Sequence, residues 1–384
     1  MKIAIGMITR ELNSAAPLVR FIENSEKYGH TLDVLITTYS LGLSSQAVAE
    51  ISEKVSVYSP IDLYDPQPRI ERLKHLGVSE ASAEVLTICP DTGGKGLVPY
   101  GINRNAIIME ALLRGVDILI FVDSDVCPSV LSMKNGRPVL EEIDFIGRHL
   151  KALNTGSQIT TSEYSGYHIL PPAEFEGMDD LLLGLRKGDM RTFWRSSMDH
   201  QCFITQPQSK SPCLCTKVLG GNMGFLLSAF SVLPPFFAPF YTDGEEFFLA
   251  RGEDTGLSPS IEQTNTVCTD IQMYIYHDTY DGFATVPDLR NDSAVQQRFY
   301  YACTGWIGRN PFLSALLDED EQEIKEYQRA HLAVGSAALA EYTSNPVFDT
   351  LIEKFDISWS NIERYKNEYD RLLEAWSEFK RVIF

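Results

Sequence analysis

Positive charge is scarce in this chain. Across 384 residues, 33 Lys and Arg face 52 Asp and Glu, a formal net charge of −19. Without a basic cluster there is no footprint for a nucleic-acid backbone, and an anionic membrane surface is disfavoured for the same reason. Long apolar runs are missing too, so no transmembrane segment is expected. The opening Met1-Lys-Ile-Ala-Ile-Gly-Met-Ile-Thr-Arg10 turns polar too soon for a secretory leader and reads as a first strand, which points to a cytoplasmic protein. The seven cysteines (89, 127, 202, 213, 215, 268 and 303) lack the paired C-x-x-C spacing of structural zinc and read as reduced thiols. There is no internal repeat and no low-complexity tract.

What remains is ordinary globular material, 44% hydrophobic and 22% charged. The first third alternates strand and helix patterns. Strands are predicted at Lys2 to Ile8, Thr31 to Thr38, Val55 to Ser59 and Glu84 to Ile88. Helices are predicted at Ser14 to Tyr28, Ser44 to Glu53, near Ile70 to Leu76 and at Asn103 to Arg114. Repeated β-α-β order implies a mostly parallel sheet covered on both faces. Further on, Phe145 to Leu153 and Met178 to Leu185 read as helices, and Gln158 to Tyr167, Leu219 to Ser228 and Gln272 to His277 as strands. From Ser293 the pattern is helical to the end, with Phe355, Tyr365, Tyr369, Leu372, Leu373 and Trp376 as its apolar residues.

The most informative stretch is Asp117-Ile-Leu-Ile-Phe-Val-Asp123-Ser-Asp125-Val126. A buried-strand run stops on two carboxylates one residue apart. Residues i and i+2 of an extended segment project to one side, so both acids can face one point at the strand's carboxyl end. Ligands of open α/β sheets bind at that edge. Hard carboxylate oxygens suit Mg²⁺ or Mn²⁺, which can bridge a diphosphate, and an acidic protein that binds an anionic nucleotide needs such a cation. An ordinary strand ending in a polar turn has the same pattern.

Four other segments carry chemistry-bearing residues. Gly93-Gly-Lys95-Gly96 is a flexible cationic loop leading toward Arg104, whose guanidinium suits phosphate or carboxylate; it is not a Walker P-loop. Leu219-Gly-Gly221-Asn222-Met223-Gly224 would let a substrate approach the backbone, with Asn222 available to a sugar hydroxyl, although a bulge reads the same way. Gly252-Glu253-Asp254 could supply a general base or simply the acidic first turn of a helix. His277 ends a strand and could be a borderline metal ligand or a structural hydrogen-bonding group.

Taken in order, Arg104-Asn105-Ala106 to Ala111, Val122-Asp123-Ser124-Asp125-Val126, Gly220 to Phe225, Gly252-Glu253-Asp254 and His277 resemble the GT-A class of nucleotide-sugar glycosyltransferases over roughly residues 1 to 285. The resemblance implies a Rossmann-like α/β domain over 1–290, with a nucleotide-sugar half to about 130 and an acceptor half to 290, and a C-terminal helical extension over 291–384. It implies a nucleoside-diphosphate-sugar donor, UDP- or GDP-linked, an unidentified hydroxyl acceptor and Mn²⁺ or Mg²⁺. Asp125 would contact the metal, with Asp123 on the metal or the donor. His277 looks like the late metal ligand of mannosylglycerate synthase-like enzymes. Glu253 and Asp254 match the acceptor-site acids of family 2-like enzymes, where the aspartate is the usual base. Thr9, Arg10 and Asp62 fall where base and ribose are held. Lys95, Arg104 and Ser124 complete the donor set, and Gly221, Asn222 and Met223 the acceptor set. The insertion 62–84 and the Gly93 to Gly96 loop depart from the pattern. Homo-oligomerisation is left open.

Three rivals share parts of this pattern. A haloacid-dehalogenase-like phosphatase would use Asp123 as nucleophile, but Cys127 stands where Thr or Val is usual. A nucleotidyltransferase would want a glycine-rich first loop, and Gly6-Met-Ile-Thr-Arg10 does not supply it. A catalytically silent nucleotide-sugar-binding protein would have no need of the acids this chain keeps.

Overall fold

The computed structural model describes residues 1–90, 98–166, 170–190, 211–282 and 285–384. Its centre is an eight-stranded sheet in the order Cys213–Leu214, Cys268–Asp270, Ile159–Thr161, Asn222–Leu226, Ile118–Asp123, Ile3–Ile8, Val34–Tyr39, Val57–Asp62. All run in one direction except Asn222–Leu226 and Cys213–Leu214, which pair antiparallel with their neighbours. The α/β expectation of a mostly parallel sheet with flanking helices and C-terminal helices is the architecture observed.

The central strands are apolar because both faces are covered. Along Ile118–Asp123, the side chains of Ile118, Ile120 and Val122 enter one core while Leu119 and Phe121 enter the other. Helices Ala16–Lys27 and Phe145–Leu153 cover the first face, with the Phe21 and Phe145 rings 5.1 Å apart. Helix Tyr100–Leu113 covers the second with Ile107, Ile108 and Met109. After Ile3–Ile8 the chain winds outward through Val34–Tyr39 to Val57–Asp62, then returns to the other side of Ile3–Ile8 as Ile118–Asp123. That reversal leaves a crevice beyond Ile8 and Asp123, where such sheets take ligands.

The C-terminal helices Ser293–Leu316, Glu321–Thr343 and Leu351–Ser360 build a separate apolar cluster with Met178–Gly184. The last helix, Ile362–Ile383, instead joins the main core through Ala375, Trp376 and Phe379. Full burial of a side chain such as Phe379 contributes about 1.5–3 kcal/mol.

Several expected boundaries move. Glu84 to Thr87 belong to the helix Glu80–Thr87, which Ile88 ends and Ser79 caps by accepting from Ser82 N. A five-residue apolar window cannot separate the two periods; packing of this helix against Ile362–Ile383 decides it. Gln272 to His277 shortens to Ile275–His277, because Gln272 and Tyr274 both take φ +54°. Gln158 to Tyr167 divides between two sheets as Ile159–Thr161 and Tyr164–Ser165, with residue 167 outside the described residues. A hairpin unforeseen from the sequence, Val126–Lys134 with Arg137–Glu142, follows the acidic pair. Its turn is Asn135-Gly136, both at positive φ, the signature of a two-residue hairpin turn.

Candidate active site

The carboxyl end of Ile118–Asp123 opens into a cleft of about 700 Å³. The strand stops at Asp123, and a turn through Ser124 and Asp125 starts the hairpin. The hairpin strand pairs with Ile275–His277, Val126 opposite His277, while Asp278 N donates to Asp125 O at 2.9 Å. This pairing is why a histidine about 150 residues downstream arrives beside the acids. Ligand atoms of Asp123, Asp125 and His277 lie within 4.8 Å of one another. His277 Nε2 is 3.6 Å from Asp125 Oδ1, and its Nδ1 is 2.7 Å from Thr279 Oγ1, a contact that orients the ring. Tyr164 packs edge-on against that ring, centroids 4.8 Å apart. Two hard carboxylates and an imidazole form a donor set that fits a divalent cation such as Mn²⁺. Burial pushes the Asp125 carboxyl up, and His277 and Arg298 more than offset it, so it is held below the usual carboxylate range.

Behind the triad stands Arg104, on helix Tyr100–Leu113 and only 2% exposed. It donates from Nη2 to Asp123 Oδ1 at 3.3 Å and from Nε to Glu253 Oε1 at 3.2 Å, with the Phe121 ring 4.7 Å away. Burial opposes its charge, and the facing carboxylates outweigh burial. Glu253 is itself buried; desolvation chiefly, and Asp254 next, push its carboxyl up to about 7 despite Arg104. The glycine pair makes this packing feasible. A Cβ on Gly220 would stand 2.5 Å from Arg104 Nη2, and one on Gly221 would stand 2.5 Å from Asp123 Oδ2. Asp254 braces the same turn, accepting from Gly220 N at 2.8 Å and from Thr255 N at 2.7 Å.

The opposite wall is cationic and aromatic. Arg251 lies against the Tyr100 and Tyr301 rings, 6.0 and 5.5 Å from their centroids, and its buried Nη1 has no hydrogen-bond partner among the described residues. Arg298, from helix Ser293–Leu316, reaches Asp125 Oδ2 at 3.4 Å from Nη2. It also borders an adjoining cleft of about 480 Å³ that includes Arg20, Ser124 and Asp278.

Of the predicted donor residues, Thr9, Arg10, Asp123 and Ser124 line the large cleft, as do Asp125 and His277. Arg104 is not on its wall but supports Asp123 from behind. Asp62 lies at the end of its own strand, two strands from Ile3–Ile8, and its Oδ1 accepts from Tyr64 N at 2.9 Å; it is not part of the cleft lining. Lys95 falls outside the described residues. Gly221 contributes its close approach to Asp123. Asn222 and Met223 are fully buried: Asn222 Nδ2 donates to Ser162 O at 3.1 Å, and Met223 packs in the core. Glu253 and Asp254 are absent from the cleft lining among the described residues. Arg251 and Arg298 were missed by sequence reading. Arg251 directly precedes the recognised segment Gly252-Glu253-Asp254, whereas Arg298 lies in a helix with no local signal.

No protein-family model matches the chain, and no curated protein matches it. Among solved structures it is similar to S. aureus TarS residues 1–349, at 10% identity and a TM-score of 0.38, over 96% of this chain and 91% of that one. It is also similar to glucosyl-3-phosphoglycerate synthase from Mycobacterium tuberculosis in complex with phosphoglyceric acid, at 13% identity and a TM-score of 0.36, over 83% and 80% of the two chains. The same synthase with Mn²⁺, UDP and glucosyl-3-phosphoglycerate matches at 13% identity and a TM-score of 0.36, over 80% and 79%. Likeness at this level leaves the functional reading to the geometry of the cleft itself.

Proposed function

We propose that this chain is a divalent-cation-dependent glycosyltransferase that moves a hexosyl group from a UDP- or GDP-sugar to a hydroxyl acceptor. One observation carries the reading. Asp123, Asp125 and His277, drawn from two distant segments, converge at the crevice where the parallel strands reverse their order. On this reading residues 1–290 are the catalytic unit, and the helical extension 291–384 lends it Arg298 and Tyr301.

Asp123, Asp125 and His277 would hold Mn²⁺ or Mg²⁺, and the imidazole favours Mn²⁺. When bound, such a cation supplies charge stabilisation to a departing diphosphate. The chain's own groups do the rest. Arg104 fixes the Asp123 carboxylate in place, so no reorganisation is needed as charge develops. Thr9 and Arg10, which line the cleft, would meet the nucleotide. Arg251 and Arg298 present guanidinium groups to the anionic donor, and Tyr100 and Tyr301 shield Arg251 from water, which strengthens its contacts. Among the described residues the cleft offers no carboxylate beyond Asp123 and Asp125. A leaving-phosphate oxygen would then take the acceptor's proton, and the anomeric configuration would be retained. The second reading is an inverting reaction with Asp254 or Glu253 as base. Glu253, raised to about 7, is suited to proton transfer, but the reading requires one of these carboxylates, both off the cleft lining among the described residues, to reach the acceptor.

The test is a panel of UDP- and GDP-sugars with and without Mn²⁺, read by thermal shift and slow donor hydrolysis. Cation-dependent stabilisation by one nucleotide with release of its sugar supports the proposal. Orthophosphate release from simple phosphate esters, with no nucleotide response, overturns it in favour of an Asp123 phosphatase. Binding without turnover against any acceptor would indicate a silent binding module. The anomeric proton coupling of the product decides between retention and inversion.

A further inference from the structure

The edge of the main sheet holds a cysteine pair that the proposed chemistry does not use. Strand Cys213–Leu214 pairs antiparallel with Cys268–Asp270, Cys213 opposite Asp270 and Leu214 opposite Thr269. One step further the register sets Cys215 opposite Cys268, and Cys215 N donates to Cys268 O at 3.0 Å. Their sulfurs are 3.6 Å apart, in van der Waals contact. A disulfide is about 2.05 Å long, so closing it needs an approach of about 1.5 Å. The two thiols differ in access: Cys215 is partly exposed, and Cys268 is buried beneath it at 2% exposure.

We propose that Cys215 and Cys268 form a reversible disulfide, an oxidation site that takes a low-molecular-weight disulfide as its oxidant. The contact between the two sulfurs holds the Cys215 thiol below its ordinary pKa, and the same contact with burial pushes Cys268 up. Cys215 is thus the attacking thiolate and Cys268 the resolving thiol. The thiolate attacks one sulfur of glutathione disulfide, forming a mixed disulfide and expelling one glutathione thiolate. Cys268 then attacks the Cys215 sulfur, gives up its proton and expels the second glutathione. Two protein thiols are oxidised and one external disulfide is reduced.

The bond would tie together two segments that feed the site. Cys215 lies five residues before Gly220, and Cys268 nine before His277. The loop closed spans residues 215 to 268, long enough that the entropy removed from the unfolded chain corresponds to a Tm rise of about 5 °C for a protein of this size.

The full chain, reduced and then equilibrated with glutathione disulfide, is alkylated, digested and mapped by mass spectrometry, with Tm read in parallel. The expected result is a linked 215–268 peptide, protection of both residues from iodoacetamide and a rise of about 5 °C that dithiothreitol reverses. Cys213→Ser keeps the link, and Cys215→Ser abolishes it. Alkylation of Cys215 and Cys268 after oxidation overturns the proposal, as does a link through Cys213. Because the map is read on the wild-type chain, a misfolded variant cannot rescue or sink it.

Discussion

Asp125 and Glu253 both answer to an arginine, and their surroundings drive them apart. Asp125 stands at the cleft mouth, where His277 and Arg298 outweigh its desolvation and keep it ionised. Glu253 lies behind the cleft, where burial and neighbouring Asp254 outweigh Arg104 and raise it to about 7. Opposed shifts in one site mark a division of labour. The carboxylate at the mouth is ready for a cation at any physiological pH, whereas the one behind can change its charge. Arg104 joins the two regions by holding Asp123 with one nitrogen and Glu253 with another.

The largest break in that comparison comes from the ionised side. Asp125→Asn should lower transfer by roughly 10³-fold, with an unchanged circular-dichroism spectrum and loss of Mn²⁺ binding by electron paramagnetic resonance. Full-rate transfer by this variant, or by chelated wild type, would sink the assignment. The next largest comes from the joint. Arg104→Met strands Glu253 and Asp123 without their guanidinium and should cost about 3–5 kcal/mol in urea unfolding. Adding Glu253→Gln should recover part of that loss, because it removes the buried charge. If the double variant is less stable than Arg104→Met, Glu253 is held by something other than its charge partner.

The sequence revealed more of the mouth than of the region behind it, for a physical reason. Asp123 and Asp125 end an apolar run, so strand and carboxylates lie in one window of ten residues. The period-2 burial of Ile118 to Val122 could be read directly. His277 needed the resemblance, because its approach depends on a hairpin whose partner strand is only three residues long. Glu253 was recognised as a residue but not as a buried one. Nothing local to Gly252-Glu253-Asp254 says that Arg104 lies against it. Met223 misled because Gly220-Gly221 suggests an open turn, while the residues just after it re-enter the sheet. Arg298 was illegible for the opposite reason. Helix Ser293–Leu316 is buried almost all round, so a single charged residue facing a cleft leaves no trace in its pattern.

A smaller effect sharpens the Glu253 side. An unperturbed Glu titrates near 4.5, and this one near 7 when folded. Between those values the folded chain keeps a proton that the unfolded chain has lost, so stability should fall as pH rises through the window, by at most about 1.4 kcal/mol per pH unit. The contribution is fully present below pH 4.5 and gone above pH 7. Glu253→Gln should remove that slope in urea titrations between pH 4.5 and 7. A slope that survives the substitution belongs to another group. If the reaction inverts with Glu253 as base, kcat should rise through about pH 7 in wild type and stay flat and low in the variant.

The smallest effect probes the mouth again. Arg298 is 41% exposed and reaches Asp125 Oδ2 at 3.4 Å, so salt can screen part of this ion pair. It nevertheless sits on an oxygen of a candidate cation ligand. A guanidinium there competes with a divalent ion until an anionic donor draws it away. Arg298→Gln should therefore tighten Mn²⁺ binding about 3-fold in the absence of nucleotide, and the gain should shrink in 1 M salt, as expected for an exposed pair. Weaker Mn²⁺ binding in the variant would mean instead that Arg298 orients Asp125 for the metal. The contrast between a mouth held open by competing cations and a rear wall held shut by burial would then have to be redrawn, with arginines as supports on both sides.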